Sequence, residues 1–240
     1  MSIVEKYIEY VKNEAVEKPE KSWNKILLGY KANKWMTRIA PNRDISKGYQ
    51  KLETMMMSLV ADSLVKKDSY VWGNIFAPSE IIQCFGLSSL SIECLSCYLG
   101  GFHLEDYFID YAQDMGIAPT LCSYHKTFVG GVESGVERNP NTLWEVGGTS
   151  NLSCDGNLNT FRYLEKTAGV PFTFLDVPYD DDDLSVKYLA GQLRSLADNL
   201  AELTGKPFCE EQLREIIRVE NETRKHFSAI RKNAIIRRNW

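Results

Sequence analysis

Long hydrophobic runs are missing from this sequence. No uninterrupted apolar stretch approaches the ~20 residues that a transmembrane helix requires, and the N-terminal segment carries charges from Glu5 onward without an apolar centre. The N-terminus is therefore unlike a secretory signal. We expect a cytoplasmic protein with no membrane contact, and in that compartment its six cysteines are not expected to form structural disulfides.

Clustered positive charge and phosphate-binding motifs are also scarce. The formal net charge is −4 and the isoelectric point about 5.5. The one basic cluster, "RKNAIIRRNW" at the end of the chain, is explained by a solvated helix end. Neither G-x-G-x-x-G nor G-x-x-x-x-G-K-[ST] occurs. We therefore expect neither a nucleic acid partner nor nucleotide hydrolysis by this chain itself.

Strand-like and helix-like segments alternate in the central part of the chain. The runs "SYVWGNIFA", "NTLWEVGGTS" and "VPFTFLDVP" are typical of strands, and longer amphipathic stretches separate them. Such alternation predicts an α/β fold with a parallel sheet, Rossmann-like or flavodoxin-like, covered by helices on both faces. A helical N-terminal segment precedes it.

Three regions follow from this pattern. Residues 1–67 form the helical N-terminal segment, 68–205 the α/β domain, and 206–240 a helix that leads toward a further domain. The final helix reaches Trp240 without a stop signal, so we expect the natural chain to continue into a second α/β domain.

Four of the six cysteines lack a clear chemical role. Cys84 lies on an apolar helical face, as a small buried hydrophobe would. Cys94 and Cys97 form a C-x-x-C pair, for which we favour a structural role, because no second ligand pair of the kind found in zinc sites exists. Cys209, close to a helix N-cap, receives no role.

Cys122 and Cys154 differ, because each follows a strand-like run and precedes a helical one. They are about one strand–helix unit apart, and the carboxyl ends of parallel strands meet at one edge of a sheet. Two thiolates there could hold an iron–sulfur cluster. They could equally be two unrelated core cysteines, and spacing alone slightly favours that interpretation.

Glu80 and His125 are the other candidates near these positions. Glu80 falls in the first turn of a helix that directly follows a strand, where the helix dipole favours a carboxylate. The same position borders the predicted crevice, so a substrate-side role stays open. His125, three residues after Cys122, could be a donor to a neighbouring group, but an exposed helical position is the better interpretation.

Four segments, taken in order, resemble the 2-hydroxyacyl-CoA dehydratase family, which includes dehydratase subunits, benzoyl-CoA reductase subunits and double-cubane cluster proteins. The segments are "FAPSEIIQCFGL", "APTLCSYHKTFVGG", "SCDGNLNTFRYLEKTAG" and "VPFTFLDVP". The resemblance extends from about Val71 to the C-terminal helix. It departs from the family at Cys84, where a small residue is usual, and at the C-x-x-C pair.

The resemblance implies a cofactor and its ligands. Cys122 and Cys154 would ligate a [4Fe–4S] cluster, with a third cysteine expected beyond Trp240, and Glu80 would line the substrate crevice as a catalytic residue. The extra cysteines leave a double-cubane cluster as the alternative cofactor.

The resemblance also implies a reaction and partners. An ATP-hydrolysing iron–sulfur activator protein would supply one electron, the cluster would pass it to a 2-hydroxyacyl-CoA thioester, and loss of the hydroxyl would give a 2-enoyl-CoA by an anaerobic radical route. A homologous subunit, or a second copy, would complete the enzyme. Alternatives are a double-cubane-type ATP-dependent reductase of small molecules and a non-catalytic scaffold subunit.

Overall fold

The computed structural model describes residues 3–40, 44–63, 70–136, 142–147, 154–169 and 172–237. Within these ranges no helix is long and apolar enough to cross a membrane. The elements in chain order are α1 (Ile3–Glu17), α2 (Pro19–Ile39), α3 (Lys47–Ser63), β1 (Tyr70–Gly73), α4 (Ser79–Cys84), β2 (Ser88–Ser91), α5 (Ile92–Gly100), α6 (Glu105–Asp114), α7 (Ser123–Glu133), β3 (Thr142–Gly147), α8 (Asp155–Ala168), β4 (Phe172–Phe174), α9 (Asp183–Thr204) and α10 (Glu210–Arg237).

The described strands form one parallel sheet in the order β2-β1-β3-β4. Trp72 of β1 pairs with Leu90 of β2 on one side and with Glu145 of β3 on the other. The predicted α/β class with a parallel sheet is therefore confirmed. The strands are only three to six residues long, so the described sheet is smaller than a full Rossmann or flavodoxin-like sheet.

Helices cover both faces of β1. Successive side chains of a strand point to opposite faces, and two successive residues of β1 pack against different helices. Trp72 packs edge-on against Phe128 of α7, with ring centroids 5.1 Å apart, in the larger core. Val71 belongs to a second core with Ile82 of α4 and Leu200 of α9. The prediction of a sheet with helices on both faces is confirmed at this strand.

The described part of the N-terminal segment is mostly helical, and two of its helices share the larger core. Ile26 of α2 and Val11 of α1 are fully buried there. The Tyr30 hydroxyl donates a hydrogen bond to the backbone carbonyl of Tyr98 in α5. Helices α1 and α2 therefore pack against the α/β part, while the boundaries at 67 and 205 stay predictions.

Helices α6 and α7 pack unusually closely, and one glycine permits this. A Cβ atom on Gly130 would lie 2.0 Å from the carbonyl oxygen of Phe108 in α6. No side chain can occupy that space without moving the backbone. This contact fixes the position of α7, whose N-terminal end carries Cys122.

Two local predictions were wrong. The segment 117–122 is not a strand: it is a turn between α6 and α7, in which the Leu121 amide donates to the carbonyl of Ala118 at 3.0 Å. The glycines of "YLGG", directly after the C-x-x-C pair, predict poor helix, yet α5 extends through Gly100. Burial of Leu95 and Leu99 in the larger core outweighs the low helix propensity of glycine.

Candidate functional site

Cys122 and Cys154 each occupy the N-cap position of a helix. Cys122 has φ −51° and ψ 137° at the start of α7, and its carbonyl accepts the Lys126 amide at 3.1 Å. Cys154 has φ −165° and ψ 110° at the start of α8, and its carbonyl accepts the Asn157 amide at 3.2 Å. Backbone N–H groups at helix N-termini point toward anions, so both positions suit a negatively charged group.

The first turns of α7 and α8 meet over Gly156. A Cβ atom there would lie 3.3 Å from Cδ2 of His125, 3.3 Å from Cδ1 of Leu121 and 3.4 Å from Sγ of Cys154. Leu121 directly precedes Cys122. The structure therefore brings the chain around the two cysteines to one place, although the segment before Cys122 is a turn rather than the predicted strand.

His125 is the residue that sequence reasoning misjudged. Its side chain is only 1% exposed, so the expectation of an exposed helical position was wrong. Nε2 lies 3.4 Å from Sγ of Cys154, and Nδ1 lies 3.0 Å from Oγ1 of Thr160. Burial lowers the pKa of His125 below its ordinary value, against a smaller opposite effect of the Glu93 charge. Burial therefore favours the neutral form of the imidazole.

The burial of α7 explains why His125 could not be recognised from periodicity. Seven consecutive residues of this helix, 125–131, are buried, because α5, α6 and α8 surround it. An amphipathic pattern exists only where one face meets solvent. The nearest sequence signal is the position of His125 one turn after Cys122, which alone says nothing of burial.

The C-x-x-C pair lies close to the same end of α7. The Ser96 hydroxyl is 2.7 Å from the backbone carbonyl of Tyr124 and so fastens α5 to the first turn of α7. A hydrogen bond to Cys97 raises the pKa of Tyr124, and the nearby Cys122 and Cys94 act in the same direction. The Cβ atoms of a helical i, i+3 pair are about 5–6 Å apart, whereas a disulfide needs about 3.5–4.5 Å. Both cysteines are free thiols.

Glu80, Cys84 and Cys209 belong to the other side of the sheet. Cys84 is buried in the second core, as predicted, and its thiol donates to the Glu80 carbonyl at 3.3 Å. Cys209 is exposed beside Glu211. The Glu80 side chain is hydrogen-bonded to Glu220 of α10. Its catalytic role stays a prediction.

The described side chains around Cys154 meet the needs of an iron–sulfur cluster only in part. Among the described residues, no group of three or more His, Cys, Asp or Glu side chains could hold a metal ion. Cysteine is nevertheless the usual ligand of iron–sulfur clusters, and two cysteines lie here at neighbouring helix N-termini. Asn157, fully buried one turn after Cys154, has no partner for either amide atom in the part of the chain that the structure describes. The residues fit a cluster that takes its remaining ligands from outside this pair.

Fold and site together define an α/β protein with two cysteines at helix N-cap positions, one of which follows strand β3. The sequence profile of the family described as "2-hydroxyglutaryl-CoA dehydratase, D-component" matches residues 74–235. The chain therefore belongs to the 2-hydroxyacyl-CoA dehydratase family, and the predicted resemblance is confirmed.

One relative extends this comparison. The chain is 23% identical over 155 residues to the "(R)-phenyllactyl-CoA dehydratase alpha subunit" of Clostridium sporogenes. The match covers 62% of this chain and 38% of the relative. The chain thus spans well under half the length of that relative.

Proposed function

We propose that the chain is a subunit of a 2-hydroxyacyl-CoA dehydratase in which Cys122 and Cys154 supply two thiolate ligands of an iron–sulfur cluster. The observation that carries the proposal is the meeting over Gly156 of two helices with cysteine at the N-cap position, where His125 of α7 contacts Cys154. Family membership supports the reaction class, and the relative's description as an alpha subunit supports a second, homologous subunit.

The reaction is the removal of the 2-hydroxyl group from an acyl-CoA thioester to give a 2-enoyl-CoA. A bound cluster supplies single-electron chemistry, with the electron provided by an ATP-hydrolysing activator. The chain's own residues hold the cluster ligands in position. Cys122 and Cys154 hold the ligand sulfurs at helix N-termini, and the buried His125 excludes water from the inner side of Cys154.

Differential alkylation of the full-length protein, purified without oxygen, tests the ligand assignment. We expect Cys122 and Cys154 to resist iodoacetamide while iron is bound and to react after iron chelation, as read from peptide masses. Cys209 provides the matched control, because it is exposed and lies next to Glu211 rather than in this site. Equal labelling of Cys122 and Cys209 before chelation would contradict the assignment, because Cys122 is itself exposed in the cluster-free chain.

A further inference from the structure

We propose that His125 is a positioning residue that donates its Nε2–H to the sulfur of Cys154, and that Thr160 fixes the ring in the tautomer that makes this possible. The inference deepens the proposed function, because it rests on that function for the statement that Cys154 is a cluster ligand. The hydrogen-bonding chain itself is a property of the protein without any cofactor.

The three side chains form a continuous contact that runs from α8 to α7 and back to the N-cap of α8. Thr160 on α8 is 2% exposed and His125 on α7 is 1% exposed. The two contacts use both ring nitrogens: Nδ1 lies 3.0 Å from Thr160 Oγ1, and Nε2 lies 3.4 Å from Cys154 Sγ. Since Cys154 and Thr160 belong to the same helix, the imidazole bridges the cap and the second turn of α8.

The hydroxyl of Thr160 decides which ring nitrogen carries the proton. Helical threonines commonly donate to the carbonyl four residues earlier, as Thr167 does to Tyr163 at 3.1 Å. Within the described ranges, Thr160 makes no such bond, and its hydroxyl faces Nδ1 of His125 instead. Donation of that hydroxyl proton requires an unprotonated Nδ1. The neutral ring then carries its proton on Nε2, which faces the sulfur.

An N–H donor at a ligand sulfur has a definite electronic effect. Hydrogen bonds to sulfur set the reduction potential of a cluster, because they stabilise the additional negative charge of the reduced state. The bond from His125 is therefore expected to raise the potential. It also fixes the side-chain orientation of Cys154, whose inner side faces the buried ring.

The tautomer can be measured in the cluster-free protein by a long-range ¹H–¹⁵N correlation spectrum of the histidine side chains. The chain has three histidines, and the exposed His103 and His226 serve as internal references. We expect an unprotonated Nδ1 and a protonated Nε2 for His125, with a shifted Nδ1 signal in Thr160→Val. Thr167→Val, the same substitution at an exposed position of α8, should leave the signals unchanged. A protonated Nδ1 in the wild type would overturn the proposal.

A second measurement addresses the electronic effect in the iron-loaded protein. His125→Phe should shift the midpoint potential to a more negative value, and Thr160→Val should shift it in the same direction, relative to Thr167→Val. An unchanged potential in both variants overturns the role of His125 as a donor to a ligand. If no iron binds at all, the proposed function fails, and the tautomer measurement still decides whether the hydrogen-bonding chain exists.

Discussion

At the scale of single residues, the cysteines of this chain differ in surroundings far more than in sequence context. Cys84 is buried, and burial raises the pKa of its thiol, which makes it a poor nucleophile and a poor ligand. Cys209 is exposed at the surface. Among the described residues, Cys154 is the cysteine that contacts an imidazole, and it does so from a helix N-cap position. Its environment, rather than its residue type, marks it as chemically distinct.

The sequence predicts the two cysteines of the site but not the residues around them. Cys122 and Cys154 stand out because of the segments that precede and follow them. His125, Thr160 and Asn157 come together only through the packing of α7 on α8, which no local pattern encodes. Their polar side chains would be read as solvent-exposed on any single helix.

Asn157 offers a test at this scale. A buried amide without hydrogen-bond partners costs about 1–3 kcal/mol. We expect Asn157→Leu, which is similar in volume, to raise the free energy of unfolding of the cluster-free protein by about 1–2 kcal/mol. The same variant should retain less iron, because the amide is then missing beside Cys154. Chemical denaturation and iron analysis measure the two effects.

Asn159→Leu is the matched control for Asn157→Leu, because Asn159 is exposed on the same helix. Its effect on unfolding should stay within about 0.5 kcal/mol, with unchanged iron. A loss of stability in Asn157→Leu would show that the amide is satisfied in the folded protein.

At the scale of helices and strands, local pattern predicted most elements and failed where tertiary packing dominates. A glycine after an amphipathic stretch predicts a helix stop, and Gly169 ends α8 in the left-handed conformation, with φ 66°. An aspartate before a helical stretch predicts an N-cap, and Asp182 caps α9 by accepting the Ser185 amide at 2.8 Å. In the predicted strand "VPFTFLDVP", the described residues 172–178 form a strand only at Phe172–Phe174. Strand β2 and helix α5 were missed, because buried leucines rather than local propensity stabilise them.

The contact between α4 and α10 predicts that the stability of the folded protein depends on pH. The hydrogen bond to Glu80, with partial burial and charge repulsion, raises the pKa of Glu220, while Arg224 acts in the opposite direction. The folded protein therefore binds this proton more tightly than the unfolded chain does. The stabilisation that this proton contributes is complete below the ordinary glutamate pKa of about 4.3. It is lost as the pH rises through the raised pKa of Glu220.

Glu220→Gln should therefore stabilise the protein at pH 7, by about 0.5 kcal/mol or less because the pair is partly solvated. This gain in the free energy of unfolding should disappear as the pH approaches about 4. Denaturation at both pH values measures it. Glu222→Gln removes an exposed carboxylate that pairs with Lys225 and should not show this pH dependence. If Glu220→Gln changed the free energy of unfolding equally at both pH values, the proposed interaction between the two carboxyl groups would be contradicted.

At the scale of the whole molecule, the region that matches the family profile does not include every helix of the larger hydrophobic core. The family profile begins at residue 74, yet α1 and α2 contribute Val11, Trp23 and Ile26 to the same core as α5 and α7. The helical N-terminal segment is therefore part of the packing that supports α7. Composition and periodicity predicted its helices, but they could not predict the face against which it packs.

The central claim is that Cys122 and Cys154 bind the same iron–sulfur cluster. Iron content should be measured in the full-length protein purified without oxygen, together with Cys122→Ala, Cys154→Ala and the double variant, with Cys209→Ala as the control. We predict that each single variant loses as much iron as the double variant, because ligands of one cluster act as a unit, while the control equals the wild type. Wild-type iron in both single variants, or losses that simply add, would contradict the claim.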